Sequence, residues 1–432
     1  MRDAKSRTRD RTPSRRLTVS LVVLMLLLVS LVTIISAGAS APPAVQAGPD
    51  AAALGQGDVI TIGIGAALTG PIPDLGARQA NSAQLAVDQV NAAGGIDIGG
   101  TNYTLALVTA DSACSGGQGA PAANVLVNAG VVAVVGHTCS GATGAALPVY
   151  DSAGIPLIMA SATGSGLTEM GYTGVFRVIS RDGSEGVRMA TYFRQKLQLG
   201  AVALVQWTAD MTEGADAFAN TFTAMGGLIV SRRTVDSVDD FAATLTLIGG
   251  EAIDAIVYVD SSAARAGGFS NQARLLGMQD TVLGWSAWQS VEEQLQTYSD
   301  AAGSAVVEDY VGLPYRNKGG MPGYAAFATA YQAAGFPVVG EEPTALGAFA
   351  YDAVMIIVDA IERADSAVPA DIRDAIAATT DYAGVVGAYD GFDMQGDVIP
   401  QWAWIVQSRD DRWRVLSLAE VYLPLVGRGF AQ

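Results

Sequence analysis

VITIGIGAALTGPIPDLGARQANSAQLAVDQVNA, residues 59–92, sets three features in one line: a β-rich apolar run (Val59–Ile64), a loop punctuated by glycine and proline (Ala67–Pro71), and a stretch with apolar residues at helical spacing (Ala77–Ala92). Branched apolar residues in a short run predict a strand, and apolar positions three and four apart predict a helix. The same alternation extends outward. Strands are expected at Tyr103–Val108, Val131–Val135 and Pro156–Met159, with helices at Ala120–Ala129 and Gly144–Ala153. It resumes with strands at Ala201–Gln206, Leu228–Arg232 and Ala255–Val259, separated by helices at Glu213–Met225, Asp240–Gly249 and Gly267–Leu276. Strands that are apolar throughout must be covered on both faces, which is the pattern of parallel α/β sheets. The series is too long for one sheet, so two such domains are expected.

The 432 residues carry 25 Lys+Arg against 42 Asp+Glu, a net charge of −17, with half the chain hydrophobic and 16% charged. Sizeable cores are therefore available, and disorder is excluded for most of the chain. The charge balance argues against a nucleic-acid partner, whose phosphates would need basic side chains. A single histidine and two cysteines exclude a multi-histidine zinc site and a dense disulfide scaffold.

Charge is unevenly placed. Seven basic residues against Asp3 and Asp10 fill residues 1–16, an uncharged run follows from Leu17 to Ile35, and small residues then lead to Ala47. That order is the order of an export signal, expected to be cut after Ala47; the alternative is a retained membrane anchor over residues 17–35. The basic segment's net +5 leaves −22 for residues 48–432, a solubilising surface with no affinity for anionic lipid. Residues 48–57 are expected to form a flexible leader.

In open parallel sheets, ligands sit beyond the carboxyl ends of the strands. The loops expected there are Ala67–Pro71, Asp111–Cys114, Gly136–Gly141 and Ser161–Gly164, most of them placing small hydroxyl residues beside glycine just before a helix. Backbone N–H groups at a helix start, backed by hydroxyls, suit a carboxylate; the alternative for each serine or threonine is an ordinary N-cap. Cys114 and Cys139 fall in two such loops of an exported chain, so a disulfide is expected, with a reactive pair as the alternative. Catalytic patterns are missing from the sequence: there is no G-x-S-x-G around a nucleophile, no P-loop, no H-E-x-x-H, and the glycines after the first strand lack the third dinucleotide glycine. Binding without a cofactor or metal is favoured over catalysis.

Residues 62–96 (IGIGAALTGPIPDLGARQANSAQLAVDQVNAAGGI) and 136–186, with G-H-T-C-S, S-A-T and G-Y-T-G-V-F-R in order, resemble the type I periplasmic binding proteins of ABC importers, and within them the leucine/isoleucine/valine-binding group. Ala350-Tyr351-Asp352-Ala353 and GAYDGFDMQG (387–396) fit the same resemblance. It implies two Rossmann-like lobes with parallel sheets joined by a three-strand hinge and closing on an amino acid. Lobe one would be residues 58–181 plus 314–392 and lobe two residues 182–313 plus 393–412, with 413–432 an extension. It also implies the Cys114–Cys139 disulfide, Ser140 on the ligand carboxylate, Ser161 and Ala162 as backbone contacts, and Thr163 as a hydroxyl touching both carboxylate and ammonium.

The sequence departs from the family elsewhere. Leu75 replaces a tyrosine in the first loop, Met211 an aromatic of lobe two, Ser262 a second tyrosine, and Ser286 the acid that faces the ammonium. Asp260 or Asp210 is the expected replacement for that acid, with a strand-end cap as the alternative reading, and Trp207, Trp285 and Trp288 are candidate apolar walls. The expectation is a monomeric, exported solute-binding protein serving a membrane ABC permease. The alternatives are an anchored ligand sensor and a binder of another small carboxylate or amide.

Overall fold

Val59–Ala66 (β1) is buried along nearly its whole length because it is hydrogen-bonded to parallel neighbours on both sides. The computed structural model describes residues 59–207, 212–260, 262–278, 282–286, 291–303, 309–313, 315, 318–336, 342–409 and 412–416. The proposed export segment and the extension beyond residue 416 lie outside them.

The first sheet contains β1, β2 (Ile96–Ile98), β3 (Thr101–Asp111), β4 (Ala133–Gly136), β5 (Leu157–Met159) and β6 (Val175–Arg177), in the spatial order β2-β3-β1-β4-β5-β6. Only the β2–β3 hairpin is antiparallel. Its connection is Gly99-Gly100, both at positive φ, which suits a two-residue hairpin turn. Successive residues of the other strands point to opposite faces. Val134, Leu157 and Met159 join a cluster with Leu126, Leu147 and Tyr150, from the helices Gly116–Asn128 (α2) and Ser140–Ala153 (α3). Ala133, Val135 and Ile158 face the other way, in a core that includes Leu85 and Val87 of Pro73–Ala92 (α1). Each fully buried leucine there contributes about 1.5–3 kcal/mol.

The second sheet is built from Ala201–Trp207 (β7), Leu228–Val235 (β8), Ala255–Val259 (β9), Val282–Ser286 (β10) and Tyr310–Leu313 (β11), parallel throughout. Alternate residues of β7 and β9 pack on Ser184–Gln195 (α4) and Thr212–Ala224 (α5) on one face. The other face is covered by Phe241–Ile248 (α6), Ala263–Leu275 (α7) and Val291–Ala302 (α8). After β11 come Tyr324–Ala334 (α9), Ala345–Ala364 (α10) and Pro369–Ala377 (α11), then two small hairpins, Tyr382–Ala383 (β12) with Ala388–Tyr389 (β13) and Gly391–Phe392 (β14) with Val398–Ile399 (β15). The apolar stripe of α10 packs against α1, closely enough that a Cβ at Gly347 would lie 2.5 Å from Ser82 Oγ. Trp404–Arg409 (β16) and Arg412–Val415 (β17) return to the second sheet as an antiparallel edge. The chain thus leaves the first sheet after β6, leaves the second after β11 for helices that pack on the first sheet's side, and re-enters the second at β16 after β15.

Both sheets run in the doubly wound order, β3-β1-β4-β5-β6 in the first and β8-β7-β9-β10-β11 in the second. The order reverses between β1 and β4 and again between β7 and β9, and ligands gather at such reversals. Four helices, α1, α2, α3 and α7, begin about a turn earlier than the sequence pattern suggests. The first turn of α1 starts at Pro73, where proline loses nothing because the first helical N–H has no partner in any case. The start of α3 is Ser140 itself, directly after Cys139.

Candidate functional site

The reversal between β1 and β4 brings four loops together. Ala67 N–H donates to Thr138 Oγ1 at 3.0 Å, tying the first loop to the third. Leu68 and Thr69 N–H and the Thr69 hydroxyl donate to the Asp111 carboxylate at 2.9, 3.2 and 2.6 Å, tying the first loop to the second. Burial pushes the Asp111 carboxyl up, but the Thr69 hydroxyl and the N–H groups of Ala113, Leu68 and Thr69 hold it net below its usual range. The Cys114–Cys139 disulfide joins the second loop to the third, with Cα atoms 5.2 Å apart. Ser161 Oγ donates to Thr138 O at 2.8 Å, and Ser140 Oγ accepts from Gly164 N at 3.1 Å, tying in the fourth. Gly76, in the first turn of α1, has no room for a Cβ, which would meet Ala67 O at 2.0 Å.

Ser140 is the first residue of a 14-residue helix whose N-cap, Cys139, supplies no side-chain cap. The free N–H groups and positive dipole end of α3 therefore lie beside a serine hydroxyl. Because Ser140 Oγ accepts from Gly164, its proton is available to donate. Thr163 is 2% exposed, and its Oγ1, which reaches no partner in full hydrogen-bond geometry, faces the Asp182 carboxylate. Beside it stands Asp182, half buried, whose carboxyl is raised by burial, lowered by the Thr163 hydroxyl, raised by Glu213 and lowered by Arg177 and Arg181, for a net rise. Ser165, just after the fourth loop, donates from Oγ to Glu213 of α5 at 2.6 Å, a direct bond between an element of the first sheet and a helix of the second. Asp182 and Glu213 carried no motif in the sequence, since single acids in an acidic chain stand out only once the fold places them.

Other candidates are placed differently. Leu75 is half buried in the first turn of α1. Ala162 is buried beside Thr163. Asp260 is fully buried at the end of β9, where it accepts from Tyr258 OH at 2.6 Å, Ser262 N at 2.8 Å and Arg265 Nε and Nη2 at 2.8 and 2.6 Å. Its charge is matched by Arg265, whose guanidinium lies 4.1 Å from the centroid of the Trp207 ring. Ser262 caps α7, accepting from Arg265 N at 3.3 Å. Met211, Asp210, Trp288 and the side chains of Trp285 and Ser286 lie outside the described residues. Cavities of about 660 Å3, near Tyr172 and Met394, and about 370 Å3, beside Tyr351 and Asp352, are lined by none of the four loops. Among the described residues no cluster of His, Cys, Asp and Glu is arranged to hold a metal ion, and no helix is long and apolar enough to cross a membrane.

Residues 59–412 match the family model described as periplasmic binding protein. The chain belongs to that family. This periplasmic binding protein is 28% identical over 344 residues to the leucine-, isoleucine-, valine-, threonine- and alanine-binding protein of Pseudomonas aeruginosa, covering 79% of this chain and 87% of the relative. It is 33% identical over 318 residues to a Leu/Ile/Val-binding protein of Rhizobium johnstonii, covering 72% and 81%. Among solved structures it is similar to the branched-chain amino acid transporter substrate binding protein LivJ of Streptococcus pneumoniae, crystallised with isoleucine, at 30% identity and a TM-score of 0.64 over 83% of this chain and 99% of that one. The type I fold expected from the sequence is thereby established, as is the resemblance to the branched-chain amino acid group.

The single histidine of this binding protein has a structural setting. His137, in the third loop, is fully buried, with Nε2 2.8 Å from Tyr150 OH, and burial holds its pKa down to about 4. The folded state thus binds this proton more weakly than the unfolded chain. The stability of the neutral imidazole is complete above pH 6.5 and is lost as pH falls from 6.5 towards 4, by about 2 kcal/mol at pH 4.5. Asp352 works in the opposite sense, because burial raises its carboxyl to about 6 and its protonation favours the fold over pH 6 to 3.8. Comparing wild type with His137→Gln isolates the histidine: the stability gap at pH 7 should shrink by about 2 kcal/mol at pH 4.5 in chemical unfolding. A constant gap across that range would contradict it.

Proposed function

We propose that this protein is the exported solute-binding component of an ABC importer, capturing an α-amino acid of the branched-chain class or a close relative and delivering it to a membrane permease. The observation that carries the reading is the pairing of opposite chemistries at one strand end. An anion cradle at the start of α3, with the Ser140 hydroxyl and the N–H groups of Ser161–Thr163, lies next to the Thr163 hydroxyl and the Asp182 carboxylate. A carboxylate and an ammonium on adjacent atoms fit that pair. Support also comes from the relatives, whose names record leucine, isoleucine and valine as their ligands.

On this reading Asp182 takes the role that Asp260 and Asp210 were expected to fill, since Asp260 is already matched by Arg265. Lobe one comprises residues 58–181 plus 314–392 and lobe two residues 182–313 plus 393–412, closing about the three passes between the sheets. Leu75 and Ser262 border the ligand side chain; Met211 and the Ser286 side chain, expected beside them, lie outside the described residues. Residues 1–47 direct export.

Isothermal calorimetry of residues 48–432 against the amino acids, their amides and their deaminated acids tests the proposal. A dissociation constant in the micromolar range or tighter is expected for at least one aliphatic amino acid, about −8 kcal/mol or more. Silence across all amino acids would sink it, and equal affinity for the deaminated acid would remove the ammonium role of Thr163 and Asp182.

A further inference from the structure

Arg177 ends the G-Y-T-G-V-F-R stretch, and its side chain is 0% exposed. Its guanidinium reaches two parts of the chain, one of them 220 positions from Arg177 itself. Nη1 donates to Thr163 O at 2.7 Å and Gly164 O at 2.8 Å, the outer side of the loop whose inner side holds Ser161–Thr163. Nε and Nη2 meet Asp397 Oδ1 at 2.7 and 2.6 Å. Thr168 closes the ring, accepting from Arg177 Nη2 at 3.0 Å and donating to Asp397 Oδ2 at 3.1 Å. The backbone is tied as well: Arg177 N donates to Gly396 O at 2.8 Å, and Gly396, at φ +91°, lies so close to β6 that a Cβ would meet Val175 O at 2.0 Å. Asp397 belongs to the β14–β15 hairpin, just before the chain makes its last pass to the second sheet.

We infer that Arg177 and Asp397 are positioning residues for ligand binding: the ion pair clamps the binding loop 161–164 to the crossover segment, so that the loop's N–H groups are aimed only while the crossover is docked. The planar fork of arginine is needed because one group must serve two carbonyls and a carboxylate in different directions, which a lysine ammonium on a flexible stem does not reproduce. Ligand contact and hinge position are thereby one coupled state.

The ligand half of this inference rests on the proposed amino-acid function; the clamp itself does not. Hydrogen exchange followed by mass spectrometry on the ligand-free protein tests the clamp directly. Arg177→Lys should speed exchange at least about tenfold in both 160–166 and 393–399 while β1 is unchanged. Thr168→Val, a milder change of the same ring, should do so to a smaller degree and serves if Arg177→Lys fails to fold. Calorimetry with the tightest-binding amino acid should show affinity reduced about tenfold or more in Arg177→Lys. Ile376→Ala, a core change in α11 at 0% exposure, should lower stability and leave affinity within about twofold. Exchange that rises in neither segment, or in only one, overturns the clamp. Loosened segments with wild-type affinity overturn the positioning role. Failure of the wild type to bind any amino acid sinks the proposed function while the exchange result still decides the clamp.

Discussion

Replacing Ser140 and Thr163 together by alanine should weaken binding of the preferred amino acid by about a thousandfold while leaving the fold intact. Each hydroxyl is proposed to bond a charged group of the ligand, and hydrogen bonds to charges contribute about 1.5–3 kcal/mol apiece. Two together amount to roughly two to four powers of ten in affinity. Stability should change little, for reasons specific to each site. Thr163 Oγ1 is buried beside the Asp182 carboxylate with no partner in full hydrogen-bond geometry, so its removal costs the protein little. The Ser140 hydroxyl accepts only a 3.1 Å bond from Gly164 N, whose loss costs about 1 kcal/mol. Calorimetry and thermal unfolding on the same sample separate the two effects. Thr163→Ser, which restores a hydroxyl, should recover most of the Thr163 share. Affinity within tenfold of wild type in the double variant would remove the cradle from the site.

Opening the Cys114–Cys139 bridge has the largest expected effect on stability. The bridge closes 25 positions of sequence, and releasing that constraint on the unfolded chain costs about 3 kcal/mol. For a protein of this size that corresponds to a fall of about 5 °C or more in melting temperature. Binding should suffer too, because Cys139 is the N-cap of α3 and immediately precedes Ser140. Cys114→Ser with Cys139→Ser, followed by calorimetry well below the melting point, should give a weaker complex as well as an earlier melt. An unchanged melt would mean that the bridge constrains nothing the unfolded chain was free to do.

What could be read from the sequence had local causes. Parallel strands buried on both faces leave unbroken apolar runs, so β1, β4, β7 and β9 stand close to where the pattern puts them. Helix starts were less legible, because Pro73 and Ser140 carry no apolar signal and their roles depend on what precedes them. Short motifs pointed to Ser140, Thr163 and the cysteines, and the fold brings their loops together. The Asp260 expectation met a partner that sequence alone did not weigh, Arg265 five positions on and one helical turn into α7. Distance hid the rest: the bond from Arg177 to Asp397 spans 220 positions, and Ser165 to Glu213 spans 48 across two sheets. No periodicity encodes such pairs, since the fold alone sets them side by side.

Asp260, Arg265 and Trp207 form a paired group on the second sheet, anion against cation and cation against ring. On the proposed reading this divides recognition into two stages. The ligand carboxylate is met by the first lobe alone, while the ammonium is completed by Asp182 at the first residue of the second lobe, so an open protein can hold an amino acid by its carboxylate before its side chain has been inspected. The rest of the second lobe, where Asp260 is already paired with Arg265, acts only as closure completes. Evolution or engineering beyond Asp182 in that lobe would then change which side chain is accepted, while the requirement for a carboxylate stays with the first lobe.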